Sequence, residues 1–429
     1  LLPLLFLCYV IAYVDRVNVS IAKLTMTRDL PGFDNAVIGF GAGLFFWGYF
    51  LLEIPGSLLV EKWSARRLIC RIMVVWGFAA ALTAFVKTPF QFYCARFLLG
   101  LAEAGFFPGV IVYLTHWFPS RDRTRALSWF LIATPIAQLI SPKISNALLK
   151  IGTGNFINGK VIYYPGLFGL KGWQWVYIYW GIPAVLLGIA ALFVLTDRPR
   201  EANWLTSEEK DALEAALQKD RSVRAGARRL TVLDAFQNPK VLLLTAAYFC
   251  STAANYSLEF FLPSILQQWY SLTPDSVTSL VLLPPILALA GQLFVGWNAD
   301  RTKERRLHAV VPIVMGLVAL GLTPLTRGHL SMTIACFMVT AAGIKAYQPA
   351  FWSLPSLFLT GAAAAGSIGL INSIGNLGGF LGPTILGTVE KHTGSFVGGI
   401  YYLCASMTIC AAIIALAGVG QRESRAIAE

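Results

Sequence analysis

The chain has 429 residues, 56% of them hydrophobic and 13% charged, with a mean hydropathy of +0.64. That balance excludes a string of soluble domains and points to a polytopic membrane protein. The formal net charge of +12 does not mark a nucleic-acid binder, because the bases gather in loops between apolar runs, where Lys and Arg set topology. The seven cysteines all fall in apolar segments with no CxxC or Cys/His spacing, and the four histidines stand singly. This argues against a disulfide framework or zinc site, and no cofactor is expected. The chain opens at Leu1 inside an apolar run without an initiator methionine, so a trimmed N-terminal tail is expected.

Taken in order, apolar runs bounded by charges or by Pro and Gly predict twelve membrane spans. They cover about 3–26, 37–60, 68–86, 89–117, 127–149, 173–195, 240–269, 276–299, 308–326, 329–358, 363–388 and 395–419. The loops at 61–67, 119–125, 197–240 and 300–306, with the tail after Gly420, hold 21 of the 34 Lys and Arg. The opposite loops hold about seven, so the positive-inside rule places both termini in the cytoplasm.

Span 1 carries Tyr13-Val-Asp15-Arg16-Val-Asn18-Val-Ser20 at its centre. A charge at that depth costs on the order of 2.5–3.5 kcal/mol, so such residues line a bundle interior or an aqueous path. Span 4 carries Arg96 and Glu103, seven residues apart and therefore on one helix face, roughly 10 Å from each other. Gly100 and Gly105 are expected to keep that helix slim. A carboxylic acid in a low-dielectric cavity holds its proton more tightly, and a neighbouring guanidinium opposes this. Whether an anion engages the arginine then decides whether the acid stays protonated. The open alternative is a permanent bridge among these groups.

Two further bases lie mid-span, Lys143 in span 5 and Lys345 in span 10. One reading has them add positive charge that favours a compact dianion; the other pairs them with Glu259 or Glu53. Between spans 5 and 6, residues 152–172 suggest a small hairpin around Asn158-Gly159. The 197–240 connection opens on the capping box Thr206-Ser-Glu-Glu209, which starts a charged helix of about 208–220. Its basic end (Arg221, Arg224, Arg228, Arg229) suits anionic headgroups. The chain thus divides into a six-span bundle at 1–195, a cytoplasmic linker at 196–239, and a second bundle with a short tail at 240–429.

An internal repeat supports the division. Gly296-Trp-Asn-Ala-Asp300-Arg301-Thr-Lys-Glu-Arg305-Arg306 follows span 8, and Ser57-Leu-Leu-Val-Glu61-Lys62-Trp-Ser64-Ala-Arg66-Arg67 follows span 2. Both resemble the G-x-x-x-D-[RK]-x-G-x-[RK]-[RK] signature of the major facilitator superfamily. The second copy lacks only the inner glycine, and the first has Ser57, Glu61 and Ser64 in place of Gly, Asp and Gly. The expectation is an all-α membrane protein of twelve helices in two pseudo-symmetric bundles. Glu61, Arg66, Arg67, Asp300, Arg301 and Arg305 are expected to tie neighbouring helices in one conformation and release them in the other.

A narrower resemblance covers nearly the whole chain. Tyr13-Val-Asp-Arg-Val-Asn-Val, Gly48-Tyr49-Phe50, Glu53-Ile-Pro55, Arg96 to Gly109, Ala350-Phe-Trp-Ser-Leu-Pro355 and Asn372-Ser-Ile-Gly-Asn376 are similar to the anion:cation symporter family. Its members include bacterial permeases for tartrate, galactonate, glucarate and phthalate. The resemblance implies a proton-coupled importer of a small organic anion (dicarboxylate, sugar acid or aromatic carboxylate), working as a monomer in the inner membrane. It implies proton sites at Asp15 and Glu103 coupled by Arg16, with Arg96 receiving the substrate carboxylate. Tyr49, Asn372 and Asn376 match positions that contact or frame the substrate. Trp352, Ser353, Lys143 and Lys345 join them as polar or aromatic groups in lining spans. An exchanger or exporter of the same fold, or a receptor without sustained flux, is the alternative. A membrane enzyme fails for want of a nucleophile–base pair, metal cluster or phosphate loop.

Overall fold

A computed structural model describes residues 1–62, 64–119, 122, 126, 129–152, 154–157, 160–163, 166–225, 238–302, 304–355 and 361–417. The side chains of 54–62, 154–163, 219–225, 300 and 361–366 lie outside that description. Among the described residues, nine helices are long and apolar enough to cross a membrane, and Arg306–Leu322 is an apolar but shorter tenth. The remaining predicted spans are the 17-residue helix Ala133–Leu149 and the paired helices Gly361–Asn376 and Gly378–Thr393. Among the described residues, all twelve expected spans are helical.

Large apolar side chains stand exposed in stripes at helical spacing: Val75, Phe78 and Leu82 on span 3, and Ile182, Leu186, Ile189 and Phe193 on span 6. Span 9 repeats the pattern with Leu307, Val311, Val314, Val318 and Leu322. A surface of this kind belongs in lipid, where no polar outer face is needed.

The chain gathers into two compact units, one of 1–32 with 44–227 and the other of 33–43 with 228–429. The first turns of span 2 thus group with the second unit. The linker helix runs Ser207–Ala225, longer than expected at its far end. Its capping box is made: the Thr206 amide donates to Glu209 Oε2 at 2.9 Å and the Glu209 amide to Thr206 Oγ1 at 3.3 Å. The basic side chains at 221, 224, 228 and 229 lie outside the described residues. Two short strands, β1 (Gly154–Ile157) and β2 (Lys160–Tyr163), pair antiparallel with Ile157 opposite Lys160. That register leaves the expected two-residue turn at 158–159, itself outside the described residues.

Span 4 departs from a single helix. It starts at Pro89, capped by Thr88, whose hydroxyl accepts from the Gln91 amide at 3.3 Å. It stops at Glu103 and restarts as Phe106–Trp117. Gly105 between them has φ +86°, a left-handed conformation that a side chain disfavours. Gly105 therefore breaks the helix rather than slimming it. Gly100 does serve close approach. A Cβ there would collide with the Phe45 carbonyl oxygen, and one on Gly48 with that of Phe97. Spans 2 and 4 meet backbone to backbone, which presents Phe45 and Tyr49 to the charged face of span 4.

Gly100→Leu should therefore lower the thermal midpoint of the purified protein sharply, by an overpacking cost of about 3 kcal/mol or failure to fold. Gly369→Ala, where a Cβ meets nothing within 4 Å, should leave the midpoint unchanged. Equal behaviour of the two variants in a detergent melt would contradict the close-approach assignment.

Candidate functional site

The buried face of the first span-4 helix consists of Phe92, Arg96, Leu99, Gly100 and Glu103, spaced as a 3.6-residue period requires. Arg96 and Glu103 thus share one face, as the spacing predicts. Span 1 brings Asp15, Arg16 and Asn18 to the same region, all buried. Two acids and two bases form a quartet of zero formal charge, which is what makes burial of all four tolerable.

The pairing inside the quartet is specific. Arg16 Nη2 makes a close ion pair with Glu103 Oε1; the two side chains are 10% and 1% exposed. Its guanidinium lies 5.1 Å from the Phe45 ring centroid and 5.2 Å from that of Tyr49, within cation–π range. Asp15 takes a different partner: Trp76 Nε1 on span 3 donates to its Oδ2 at 2.8 Å, and Asn18 Nδ2 approaches Oδ1 at 3.4 Å. Arg96 has no solvent exposure. Its Nη2 donates to the Arg16 carbonyl oxygen at 3.3 Å and its guanidinium rests 5.4 Å from Phe45. Its Nε and Nη1 find no acceptor among the described residues. A buried guanidinium with donors to spare is built for a ligand or for a second arrangement of its neighbours.

Span 6 adds Tyr177, which the sequence reading passed over. Its hydroxyl is buried with no hydrogen-bond partner among the described residues, and it lies within electrostatic reach of Arg96. Its ring meets Trp173 edge-on, centroids 6.4 Å apart. Trp76 was likewise missed. Neither could be found from spacing, since an aromatic in an apolar span reads as packing until its polar tip is located. Lys23, only 1% exposed, is another buried charge within the first apolar run. Gln138 on span 5 donates to the Tyr13 hydroxyl at 3.1 Å, tying that span to span 1.

The other expected site residues are placed less tightly. Lys143 stands on the exposed face of its helix, away from the buried Ser141, Ser145 and Asn146. In the second unit Lys345 Nζ pairs with Glu259 Oε1 at 3.1 Å. Trp352 meets Tyr248 edge-on at 4.8 Å. The Ser353 hydroxyl turns back to the Ala350 carbonyl oxygen at 2.6 Å. Asn372 is half-buried and Asn376 buried.

Of the loop motifs, Arg66 binds Asp197 at the end of span 6, its Nε 3.4 Å from Oδ2 and its amide donating to Oδ1 at 3.0 Å. Ser64 Oγ also donates to that carboxylate. Asp197, assigned by sequence to the linker, is thus the acid that ties this loop. Arg67 is exposed, Arg301 stacks on Trp297 at 5.4 Å, and Arg305 is half-buried. The side chains of Glu61 and Asp300 lie outside the described residues. Beside the second motif, Glu304 Oε2 holds His308 Nδ1 at 3.0 Å.

Against known proteins, the model of the Major Facilitator Superfamily matches residues 5–383. A putative tartrate transporter of Agrobacterium vitis is 40% identical over 97% of this chain and 89% of its own length. A quinolone resistance transporter of Acinetobacter baumannii is 37% identical over 95% and 90%. Among solved structures, a bacterial homologue of the human lysosomal transporter Spinster superposes with a TM-score of 0.73 at 16% identity, covering 97% and 96% of the two chains. That likeness speaks for the fold alone.

The two missed aromatics should respond oppositely to removal of their polar atoms. Trp76→Phe strands a buried carboxylate and should cost about 1–3 kcal/mol. Tyr177→Phe removes a hydroxyl that has no hydrogen-bond partner among the described residues, so stability should hold or rise. Thermal melts without added anion test both; destabilisation by Tyr177→Phe would place an unseen partner on its hydroxyl.

Proposed function

The chain belongs to the Major Facilitator Superfamily and is a multi-pass membrane transporter, not an enzyme, and from that premise we propose that it is a proton-coupled symporter of a small organic anion. The observation that carries this reading is the buried Arg16–Glu103 pair beside an Arg96 with two nitrogens that find no acceptor among the described residues. When Glu103 takes up a proton its hold on Arg16 lapses, because a neutral carboxylic acid no longer compensates the guanidinium. Arg16 then presents a bidentate donor edge beside Tyr49 and Phe45, and a substrate carboxylate restores the charge balance. Loss of the proton from Glu103 recaptures Arg16 and expels the anion. Proton and anion therefore bind together and leave together.

This assignment exchanges two roles expected from the sequence. Arg16, whose side chain is 10% exposed, is the better anion receptor, and Arg96, which has no solvent exposure, is the fixed positive charge behind it. Asp15, held by Trp76, is the second proton-site candidate. Tyr49, Lys143, Lys345, Trp352, Ser353, Asn372 and Asn376 are proposed as further substrate contacts. The loop residues Glu61, Arg66, Arg67, Asp300, Arg301 and Arg305 are proposed to regulate alternating access. The distribution of loop bases supports an inner-membrane protein with both termini cytoplasmic, and a monomer suffices for this mechanism. The relative named for tartrate supports a dicarboxylate as substrate. The relative named for quinolone resistance favours a second reading, proton-driven export by the same cycle run outward.

Uptake into proteoliposomes under an inward proton gradient tests the reading, with tartrate, phthalate, galactonate, glucarate and a monocarboxylate as substrates. At least one anion should accumulate in wild type only while the gradient lasts. Glu103→Gln should abolish accumulation yet keep anion exchange. Arg16→Ala should lower kcat/KM by about 100-fold, as expected when one member of a buried charged contact is removed. Accumulation by Glu103→Gln against a concentration gradient would sink the coupling assignment. Outward transport driven by protons would favour the exporter.

A further inference from the structure

Spans 7 and 10 stand six places after spans 1 and 4. In a parallel repeat, the Glu259–Lys345 pair therefore joins the helices that correspond to those of Arg16 and Glu103. Its polarity is reversed, with the acid on the first helix of the set and the base on the fourth. Its setting differs too. On span 7 every residue at 251–258 and 260–263 is buried, and Glu259 alone among them is partly open. The Glu259 and Lys345 side chains are 15% and 20% exposed, against 1% for Glu103. Glu259 lies eleven residues, roughly 16 Å along the helix, before Tyr270. A glutamate at that depth is too short to reach a headgroup region, and a charged edge against lipid is costly, which favours an interior-facing one.

We infer that Lys345 is a carboxylate-binding subsite and that Glu259 is its resident occupant, displaced when a substrate carboxylate arrives. The inference rests on the organic-anion reading above and names the class of substrate, anions bearing at least two carboxylates. An ammonium is a compact charge with three rotatable donors and no fixed fork, so it accepts one carboxylate in place of another with little change in local charge. The incoming group makes the contact that Glu259 gives up. Glu259, being partly open, turns its carboxylate toward its open edge. Glu103 has no such freedom, and its pair must be undone by neutralisation. One unit thus carries a pair opened by a proton, and the other a pair opened by exchange.

The test is the affinity of the purified full chain for tartrate and for glycerate, a dicarboxylate and a monocarboxylate of similar size, measured by calorimetry without any need for flux. The readout is the ratio of the tartrate Kd to the glycerate Kd. Glu259→Gln empties Lys345 of its competitor, and the ratio should fall about tenfold. Glu259→Gln combined with Lys345→Gln removes both charges in balance, and the ratio should rise about tenfold above wild type. If Glu259→Gln does not fold, the balanced double variant decides alone, its raised ratio supporting the inference. An unchanged ratio in the double variant makes the pair a static bridge and overturns the inference, as does a wild type that binds neither anion. Proteoliposome flux of wild type separately tests the transport reading, so the two can fail independently.

Discussion

The ion pair between Arg16 and Glu103 is the contact on which the rest of the first unit depends. Neither partner could be buried alone at a tolerable cost. Their pairing links span 1 to span 4 through side chains, and around it the polar atoms are unevenly answered: Glu103 Oε2 and Asn18 Oδ1 find no hydrogen-bond partner among the described residues. Asp15 is answered by Trp76, Arg96 is answered in part by a backbone carbonyl, and two of its nitrogens are left over. The quartet is neutral as a set but incomplete in hydrogen bonds. The anion binding proposed above draws on that combination, because the charge is already balanced for the empty state while donors of Arg96 remain without an acceptor among the described residues.

Backbone packing gives this chemistry its position. Gly48 and Gly100 bring spans 2 and 4 into direct contact, which sets the rings of Phe45 and Tyr49 against the two guanidinium groups. Aromatic faces satisfy a cation without neutralising it, so they lower the cost of a moment when Arg16 has left Glu103. The break at Gly105 comes directly after Glu103. The carboxylate therefore stands at a helix end, where local rearrangement disturbs fewer backbone hydrogen bonds than in mid-helix. Sequence places Arg96, Gly100, Glu103 and Gly105 within ten residues of each other on span 4, and the fold brings Phe45, Gly48 and Tyr49 of span 2 against them.

Much of this was legible in the chain itself. Twelve apolar runs, two copies of a loop motif and four charges at bilayer depth give the architecture and the location of the site, because each follows from hydrophobic length or from the penalty on buried charge. The helical period alone put Arg96 and Glu103 on one face. What spacing could not supply was the choice among partners on different helices. Whether Glu103 meets Arg16 or Arg96 turns on helix crossing and rotation, and so does the assignment of Trp76 to Asp15. Tyr177 carried no sequence signal at all, since its significance is a buried hydroxyl without a hydrogen-bond partner among the described residues. The Arg66–Asp197 contact was hidden for a related reason: Asp197 sits at a span boundary where a loop charge and a helix-end ligand look alike.

The loop contact also qualifies how the repeated motif should be understood. In the first copy the family aspartate is a glutamate and both glycines are serines, which on sequence alone suggests a decayed device. The structure instead gives Ser64 two tasks, capping the span-3 helix at the Arg67 amide and donating to Asp197, which Arg66 also contacts. Serine at this position can do what glycine cannot, because its hydroxyl is both donor and acceptor. The departure from the pattern thus adds a hydrogen bond between the start of span 3 and the end of span 6. In a motif copy that looks degenerate by residue identity, Ser64 and Arg66 still converge on one carboxylate, Asp197, and so join the start of one span to the end of another.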